Sequence, residues 1–472
     1  MDHRGYMDTY YRFPYCVQNA IINWWAHDEH PKRYGKLHDE YLNWLRTNLQ
    51  ISSDRYFEIE SEKLREIIAH VYKHVPAYRK KFDDAGVNPM DIKSRDDLHR
   101  IPMTSKRDVI DNYDQYFSDT CNRKNLMQGR TSGTTGTPMI IYKSLGSYAF
   151  FHACVSLMHE WENIKLRDPS VNFGNKRLIS PTKKNPPFWH YNKLWNQTYF
   201  SIIHMTEPNM KFYVDKIREI NPVEIVGYAS AQAFFGAYLI EHGVTGIKPR
   251  AIIANSEMVY PWQREIIKKA YGLDLKEWYS TEELFFFCYR CDHGNFHFLP
   301  GMGIVEIVAD GRPVAEGESG EVVCTTLLNY DVPLIRFKLL DRATLGKGVC
   351  ECGSELPFLS EVQGKIHDYI VTPDGNHMHG AQAIFQSAMD IVEGQLIQES
   401  LEKFRLLIVP RHPWDMEREN AIRRNFRNYY NYPHELEIEI VDKVYRTENQ
   451  KVQMIVSKLD TKNILMKKAG LN

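Results

Sequence analysis

The chain has 472 residues, of which 43% are apolar and 25% charged, a composition typical of a globular protein with more than one domain. Its 59 Lys and Arg balance 60 Asp and Glu, so the net charge provides no attraction to nucleic acid or anionic lipid. We find no apolar run long enough to span a bilayer, and the polar start lacks the pattern of a secretion signal. We therefore predict a cytoplasmic protein of two or more domains, without a nucleic-acid or membrane partner.

The first third of the chain is predicted to be mainly helical. Apolar residues recur at helical spacing from Ser61 to Ala85, and Pro76 marks a break or the start of a second helix. The segment "IPMTSKRDV" predicts a loop that leads into a short helix. A longer helix with one apolar face is predicted over residues 147–164.

The middle of the chain changes pattern. From about residue 176 to 308, short apolar runs such as "EIVGY" and "RAIIANS" alternate with helical stretches such as "PWQREIIKKAYG". This alternation predicts α/β layers with parallel strands. Residues 303–327 then show strand alternation, with turn signals at 310–311 and 317–320.

After Gly364 the pattern starts again, which predicts a small α+β domain at the C-terminal end. Its predicted elements are a helix near 381–393, a strand at 404–410, a helix at 416–430 and a strand at 436–444.

The stretch "GRTSGTTGTPMIIYKS", residues 129–144, is rich in Gly, Thr and Ser and ends in a predicted strand. It lacks the Lys that follows the last Gly of a Walker loop, and its Gly spacing excludes a dinucleotide-binding fingerprint. Its glycines still allow a tight turn whose N–H groups and hydroxyls wrap phosphate oxygens. From the residues alone, a phosphate loop and a solvated hairpin loop both remain open.

A family resemblance decides between the two. The segment "TSGTTGTP" resembles the phosphate loop of the adenylate-forming (acyl- and aryl-CoA synthetase) superfamily. The flanking segments "HVPAYRKKFDDAGVNP", "DIKSRDDLHRIPMTSKRDV" and "VPLIRFKLLD" are similar to its phenylacetate–CoA ligase branch, specifically to CapK-like relatives from capsular polysaccharide loci. The resemblance runs from about Leu64 to Leu459. It implies a large layered α/β domain at 61–364 and a small mobile α+β domain at 365–472, with residues 1–60 as an extension of unclear role.

The resemblance also implies roles for individual residues. In the segment "EWYSTEE", Trp278 would flank adenine, Thr281 would bond the α-phosphate, and Glu282 would hold Mg2+, which prefers carboxylate oxygen. Tyr279 stands where the family has Gly, a departure that affects the base pocket or the acyl tunnel. Ser280 is a further ATP-binding position that the resemblance implies. Without the resemblance, Ser280 or Thr281 followed by acids indicates a helix N-cap. The loop positions that would hold the β- and γ-phosphates of ATP are Thr131, Ser132, Gly133, Thr134, Thr135 and Gly136.

A further motif concerns the ribose of ATP. Asp341, in "DVPLIRFKLLDRATL", resembles the residue that holds the ribose hydroxyls, although Leu339 and Leu340 replace the usual Thr-Gly. Arg336 is either a charge partner nearby or a surface residue at a strand end.

Two C-terminal motifs follow the family's order. In "GKIHDYIVTPDG", Lys365 takes the position of the hinge Arg and could reach ribose or phosphate, while His367 and Asp368 form the expected pivot. His367 replaces an Asp there. In "YRTENQKVQMIVSKL", Lys451 corresponds to the catalytic lysine, whose ammonium would bridge the attacking carboxylate and the α-phosphate. The alternative for Lys451 is an exposed surface lysine.

Two cysteine pairs are spaced for metal binding, in "FFFCYRCDHGNFHF" and "GVCECGSELP". Two thiolate pairs can form a tetrahedral zinc site, and relatives often carry Cys-any-Cys-Gly at the second place. The gap between the pairs exceeds that of a small zinc finger, and buried unpaired thiols are the alternative. The predicted zinc ligands are Cys288, Cys291, Cys350 and Cys352, with His293 replacing one Cys as a variant.

Together these features imply an AMP-forming ligase that uses ATP and Mg2+ to convert a carboxylic acid into an acyl-adenylate. Coenzyme A is the expected acceptor, and related ligases are often homodimers. By analogy, Tyr228, Ser230 and Glu257 line the acyl pocket, although Glu257 could instead be an acid at a helix N-terminus. A non-CoA acceptor (an amine, sugar or cofactor) and a non-catalytic homologue remain as alternatives. The acid itself is not identified by the sequence.

Overall fold

The computed structural model describes residues 3–130, 139–174, 178–363, 369–379, 384, 391–410, 413–445, 455–459, 465–466 and 468–471. Its α-helices are α1 (His3–Arg12), α2 (Tyr15–Tyr34), α3 (Lys36–Thr47), α4 (Ser53–His74), α5 (Pro76–Asp84), α6 (Lys106–Asp111), α7 (Leu145–Trp161), α8 (Met210–Ile220), α9 (Ala229–Glu241), α10 (Pro261–Tyr271) and α11 (Met416–Tyr429).

Its strands are β1 (Met127–Arg130), β2 (Ile140–Lys143), β3 (Ser170–Phe173), β4 (Trp189–Asn192), β5 (Gln197–Phe200), β6 (Glu224–Gly227), β7 (Ala251–Ala254), β8 (Lys276–Ser280), β9 (Phe287–Arg290), β10 (Phe296–Phe298), β11 (Gly303–Ala309), β12 (Arg312–Pro313), β13 (Ser319–Thr326), β14 (Phe337–Leu345), β15 (Phe358–Gln363), β16 (Tyr369–Val371), β17 (His377–His379), β18 (Ile391–Gln398), β19 (Lys403–Pro410), β20 (Glu435–Ile440) and β21 (Ile455–Ser457).

Most strands join a thirteen-stranded sheet in the order β12-β11-β13-β14-β15-β10-β9-β8-β7-β6-β3-β5-β4. Strands β5, β3, β6, β7 and β8 are parallel to one another, and β8 pairs antiparallel with β9 on its other side. Strand β8 therefore joins the parallel half to the antiparallel half. Two hairpins, β1-β2 and β16-β17, and a four-stranded sheet, β20-β19-β18-β21, complete the sheets of the described residues. The mixed α/β architecture, with a C-terminal domain, confirms the predicted fold class.

The parallel half is buried on both faces. All four residues of β6 and of β7 are buried, as expected where helices cover a parallel sheet from both sides. Because side chains alternate along a strand, Ile225 and Ile252 pack on α8–α10 while Val226 and Ile253 face α3 and α7. The parallel strands predicted from "EIVGY" and "RAIIANS" are confirmed.

The predicted break at Pro76 is the boundary between α4 and α5. Pro76 is the first residue of α5, a position where the missing N–H costs no helical hydrogen bond. The short helix predicted at the end of "IPMTSKRDV" is α6, and the helix predicted over 147–164 is α7. Within the described residues, no helix has the length and apolarity needed to cross a membrane.

Helix α2 covers the edge of the large sheet. Asn23 Nδ2 donates to the carbonyl of Tyr191 (2.9 Å), and Asn19 Oδ1 accepts from the N–H of Tyr191 (3.0 Å). The N–H of Lys193 donates to Asn23 Oδ1 (2.7 Å). These side chains occupy backbone groups of β4 that would otherwise be open to pairing with another strand. The N-terminal helices therefore protect a sheet edge.

The C-terminal sheet packs with α11 around its own core. The strands predicted at 404–410 and 436–444 are β19 and β20, and the helix at 416–430 is α11. The helix predicted near 381–393 is wrong at its end, because β18 begins at Ile391 and pairs with β19 and β21. Residues 380–383 and 385–390 lie outside the described part.

Two segments tie the C-terminal part to the large sheet. Asn376, in the turn between β16 and β17, is buried, and its Nδ2 donates to the carbonyl of Ile202 (3.0 Å). Near the C-terminus, Leu465 is buried in the core that α9 and α10 share. Lys468 Nζ lies 3.0 Å from a carboxylate oxygen of Glu207. The described tail therefore packs on the large domain.

Candidate active site and metal centre

The segment "EWYSTEE" forms the end of β8 and the turn after it. Trp278 lies against the α3–α7 core, and its ring stacks on Phe287 with centroids 5.7 Å apart. Tyr279 points to the opposite face of the sheet, because side chains alternate along the strand. After Ser280 the chain turns through Thr281 and reaches Leu284, whose φ is 58°. No helix begins here, so the alternative of a helix N-cap is wrong.

Glu282 lies against the hairpin that carries the Gly/Thr stretch. Lys143, in β2, places its Nζ 2.5 Å from Glu282 Oε1, and a Cβ at Gly129 would collide with that same oxygen. The Lys143 side chain is 11% exposed and Glu282 47%, so the carboxylate still faces solvent. Arg130 pairs with Ile140 at the end of the hairpin where the chain leaves β1 for the connecting loop. The structure thus brings Glu282 to the base of the predicted phosphate loop.

Lys143 and Gly129 were not identified from the sequence as site residues. Both belong to the quoted stretch that ends in a predicted strand, which the structure confirms as β2. Their contact with Glu282 joins positions more than a hundred residues apart, and that distance along the chain hides it from any local pattern.

Asp341 lies on β14 and is 8% exposed. Its Oδ2 accepts a hydrogen bond from the hydroxyl of Tyr279 at 2.9 Å. Its Oδ1 is buried and has no hydrogen-bond partner among the described residues. The residue that replaces the family's Gly therefore bonds the predicted ribose ligand.

Arg336 is neither at the surface nor beside Asp341. It is 2% exposed and makes a two-pronged ion pair with Glu306, with Nε–Oε2 and Nη2–Oε1 distances of 3.1 Å. Its Nη1 also donates to the carbonyls of His99 (3.2 Å) and Ile101 (2.7 Å). Burial raises the pKa of Glu306, and Arg336 counteracts that rise. Both earlier options for Arg336 are therefore replaced by a buried structural pair.

The three predicted acyl-pocket residues lie together at the start of α9. Tyr228 immediately precedes the helix. Glu257 accepts from the backbone N–H of Ser230 through Oε2 (2.9 Å) and from its hydroxyl through Oε1 (2.9 Å). Glu257 thus caps the N-terminal turn of α9, where a negative charge is favourable. A place in the acyl pocket remains a prediction for all three.

Several predicted residues lie outside the described part of the chain. They are the loop residues Thr131, Ser132, Gly133, Thr134, Thr135 and Gly136, the hinge residues Lys365, His367 and Asp368, and Lys451.

Three of the four predicted cysteine ligands come together, joined by a histidine. The ligand atoms of Cys291, His297, Cys350 and Cys352 all lie within 4.8 Å of one another. Cys291 Sγ is 3.9 Å from Cys350 Sγ, and Cys352 Sγ is 3.3 Å from His297 Nε2. His297 Nδ1 lies 3.1 Å from the carbonyl oxygen of Leu356, to which it can donate, leaving Nε2 for a metal.

Cys288 and His293 are not part of this group. Cys288 lies on β9, is fully buried in the core of the antiparallel half, and has a pKa raised well above its usual value by burial. His293 instead lies 3.3 Å from a carboxylate oxygen of Glu351. The physical reason is strand alternation, since Cys288 and Cys291 are three residues apart and extended chain turns them to opposite faces. In the pairing of β9 with β10, His297 lies opposite Tyr289, the residue next to Cys288. The His297 side chain is therefore on the face of the sheet that Cys288 does not occupy.

Two sequence comparisons identify relatives. Residues 370–458 match the family described as the CapK C-terminal domain. Protein CapK of Staphylococcus aureus is 21% identical over 88% of this chain and 90% of its own length. Phenylacetate-coenzyme A ligase of Escherichia coli is 25% identical over 68% of this chain and 73% of its own. The homologues of this chain are CapK and phenylacetate-CoA ligases, which confirms the predicted resemblance to that branch of the adenylate-forming superfamily. The chain is thus a homologue of AMP-forming ligases.

The fold comparison agrees with this family. A crystal structure of 2-hydroxyisobutyryl-CoA ligase, in complex with 2-HIB-AMP and CoA, superimposes with a TM-score of 0.62. The match covers 90% of this chain and 94% of that ligase at 17% identity. The likeness extends over both the large sheet and the C-terminal part.

Proposed function

We propose that this protein activates a carboxylic acid with ATP, forms an acyl-adenylate with release of pyrophosphate, and transfers the acyl group to coenzyme A. The observation that carries the proposal is the contact of Glu282 with the hairpin stem at Lys143 and Gly129. This contact supports the proposal because it brings a carboxylate suited to Mg2+ to the strand that leads into the Gly/Thr stretch, and an ATP phosphate site needs both parts.

The other residues supply binding and charge. Asp341 offers a buried carboxylate oxygen for a ribose hydroxyl. Trp278, expected to flank adenine, packs against Phe287 on the face of β8 opposite to Tyr279. Thr281, which directly follows the end of β8, would bond the α-phosphate through its hydroxyl. Lys451 would stabilise the negative charge that builds between the carboxylate and the α-phosphate. The boundary between the large and the small domain would lie at residue 364. Rotation of the small domain about residues 365–368 would then admit the acceptor.

The test is ATP-dependent pyrophosphate release across aryl, fatty, amino and sugar acids, with hydroxylamine present to trap an activated acyl group. We expect one acid class to give a signal, and coenzyme A to replace hydroxylamine as acceptor. Lys451→Ala should abolish adenylate formation and keep ATP binding, whereas Lys458→Ala, a surface lysine paired with Glu399, should remain active. Full activity of Lys451→Ala would remove the role of that lysine.

The same assay separates the alternatives. A hydroxamate signal without a thioester product indicates a non-CoA acceptor such as an amine, a sugar or a cofactor. Silence over the whole panel, from folded protein that binds ATP, would favour a non-catalytic homologue. Both results would contradict the proposed transfer to coenzyme A.

We also propose a structural Zn2+ held by Cys291, His297, Cys350 and Cys352. Three thiolates and one imidazole nitrogen are the ligands that tetrahedral zinc prefers. Hydrogen bonds from the Cys352 backbone and the Asn295 side chain lower the pKa of Cys350 against the effect of burial, whereas burial raises the pKa of Cys352 to about 11. The group connects the β9–β10 turn to the loop before β15. The ion would therefore staple the antiparallel half of the sheet beside β8.

Metal analysis of purified protein tests the zinc and its ligand set together. We expect about one zinc per chain, lost in His297→Ala and Cys352→Ser but kept in Cys288→Ala. Loss of zinc in Cys288→Ala with retention in His297→Ala would restore the four-cysteine set. Wild-type protein with well below one zinc per chain would remove the metal site.

A further inference from the structure

The hydrogen bond between Tyr279 and Asp341 lies at the site proposed for ATP. The two residues are 62 positions apart, on strands β8 and β14, which are not neighbours in the sheet order. The ring of Tyr279 is held edge-on against Phe286, with centroids 4.9 Å apart. Burial, and then the nearby Asp341 charge, raise the pKa of Tyr279 well above its usual value. The phenol therefore keeps its proton and acts as the donor.

The carboxylate of Asp341 is left with one unused oxygen. Oδ2 accepts from Tyr279 at 2.9 Å, while Oδ1 is buried and has no hydrogen-bond partner in the part of the chain that the structure describes. A buried carboxylate oxygen without a donor is costly, so such an atom is usually met by a ligand or by water. A hydroxyl group of a bound nucleotide is a donor of the right kind.

We propose that Tyr279 is a positioning residue that reserves one oxygen of Asp341 and leaves the other for a single ribose hydroxyl of ATP. This inference rests on the proposed function. A free carboxylate can accept from both hydroxyls of a ribose, one at each oxygen. The phenol takes an acceptor position of Oδ2 and fixes the orientation of the carboxylate, so we expect Asp341 to accept from one ribose hydroxyl, through Oδ1. The enzyme then discriminates against one monodeoxy-ATP and tolerates the other.

The experiment measures binding of ATP, 2′-deoxy-ATP and 3′-deoxy-ATP by titration calorimetry, with Mg2+ and without acid substrate. For the wild type we expect a loss of about tenfold or more for one deoxy nucleotide and less than about threefold for the other, the range of one hydrogen bond to a charged group. In Tyr279→Phe the second oxygen, Oδ2, is released as well, so both ribose hydroxyls can bond Asp341 and both deoxy nucleotides should lose affinity by similar factors. Equal losses in the wild type, or an unchanged pattern in Tyr279→Phe, would overturn the proposal.

Two controls separate this role from packing and from the proposed function. Tyr191→Phe removes a hydroxyl on the distant strand β4, which bonds Asn196, and should keep the wild-type pattern. Asp341→Asn should weaken ATP binding in the same assay. Unchanged ATP binding in Asp341→Asn would overturn the proposal. Failure of the wild type to bind any of the three nucleotides would instead overturn adenylation, and this inference with it.

Discussion

Replacing Arg336 by Met would leave Glu306 as a buried carboxylate without its cation. The two side chains are 2% and 3% exposed in their ion pair, so water cannot replace the guanidinium. Removing one partner of such a pair costs about 3–5 kcal/mol of folding free energy. The carbonyls of His99 and Ile101 also lose their donor, which adds about 1–3 kcal/mol.

The dependence of this loss on pH identifies its cause. Without Arg336, the pKa of Glu306 rises further above its unfolded value, so the folded variant binds a proton more tightly than the unfolded chain. Its stability relative to wild type therefore falls as pH rises above the unfolded pKa. Protonating an ordinary Glu side chain costs about 1 kcal/mol at pH 5 and about 5 kcal/mol at pH 8. Since Glu306 can always take up a proton instead of staying charged, this cost is the upper limit on the destabilisation that its unpaired charge causes at each pH.

Urea unfolding followed by tryptophan fluorescence at pH 5 and pH 8 measures the effect. We expect Arg336→Met to lose several kcal/mol more at pH 8 than at pH 5. Adding Glu306→Leu should remove that pH dependence and leave only the carbonyl contribution. As the matched control, Arg107→Met breaks an ion pair with Asp111 whose arginine is 89% exposed, and should cost under about 1 kcal/mol. An equal loss at both pH values would refute the reasoning about the buried charge.

Three further predictions concern the site and the tail. Glu257→Gln should lower the free energy of unfolding in urea by about 1 kcal/mol, because the charged cap on the first turn of α9 is lost. It should leave the preference among carboxylic acids unchanged, and a changed preference would support a role in the acyl pocket. Lys143→Met should lower the Mg2+ concentration that gives half-maximal pyrophosphate release about threefold to tenfold, because the lysine no longer competes with Mg2+ for Glu282. A higher Mg2+ requirement in this variant would contradict the prediction. Deleting residues 465–472 should cost about 3–5 kcal/mol in urea unfolding by exposing buried apolar side chains, whereas an unchanged midpoint would show that the tail contributes nothing.

The spacing of apolar residues correctly predicted helices with one continuous apolar face and strands that are buried on both faces. Helix α7 and strands β6 and β7 are examples, since their apolar patterns follow from what covers them on each side. The helix predicted near 381–393 was wrong where β18 begins. That strand is held by β19 and by the distant β21, and such pairing is not encoded in a local pattern.

Some residues of the candidate site could likewise be predicted from the sequence, and others could not. Ordered motifs in the sequence pointed to Trp278, Thr281, Glu282 and Asp341 and to the cysteine pairs. Spacing alone could not select among Cys288, His293 and His297, because the choice depends on which face each residue takes once β9 and β10 pair. Likewise, the partner of Arg336 is thirty residues away along the chain and adjacent only through the sheet.

The sequence by itself determined the family, the α/β class and the order of the motifs, because these depend on residue types and on short-range periodicity. Only the tertiary structure decided that Lys143 holds Glu282, that Tyr279 occupies one oxygen of Asp341, and that His297 completes the cysteine cluster. Each of these contacts joins separate strands or loops, and its geometry follows from sheet order, register and the alternation of side chains.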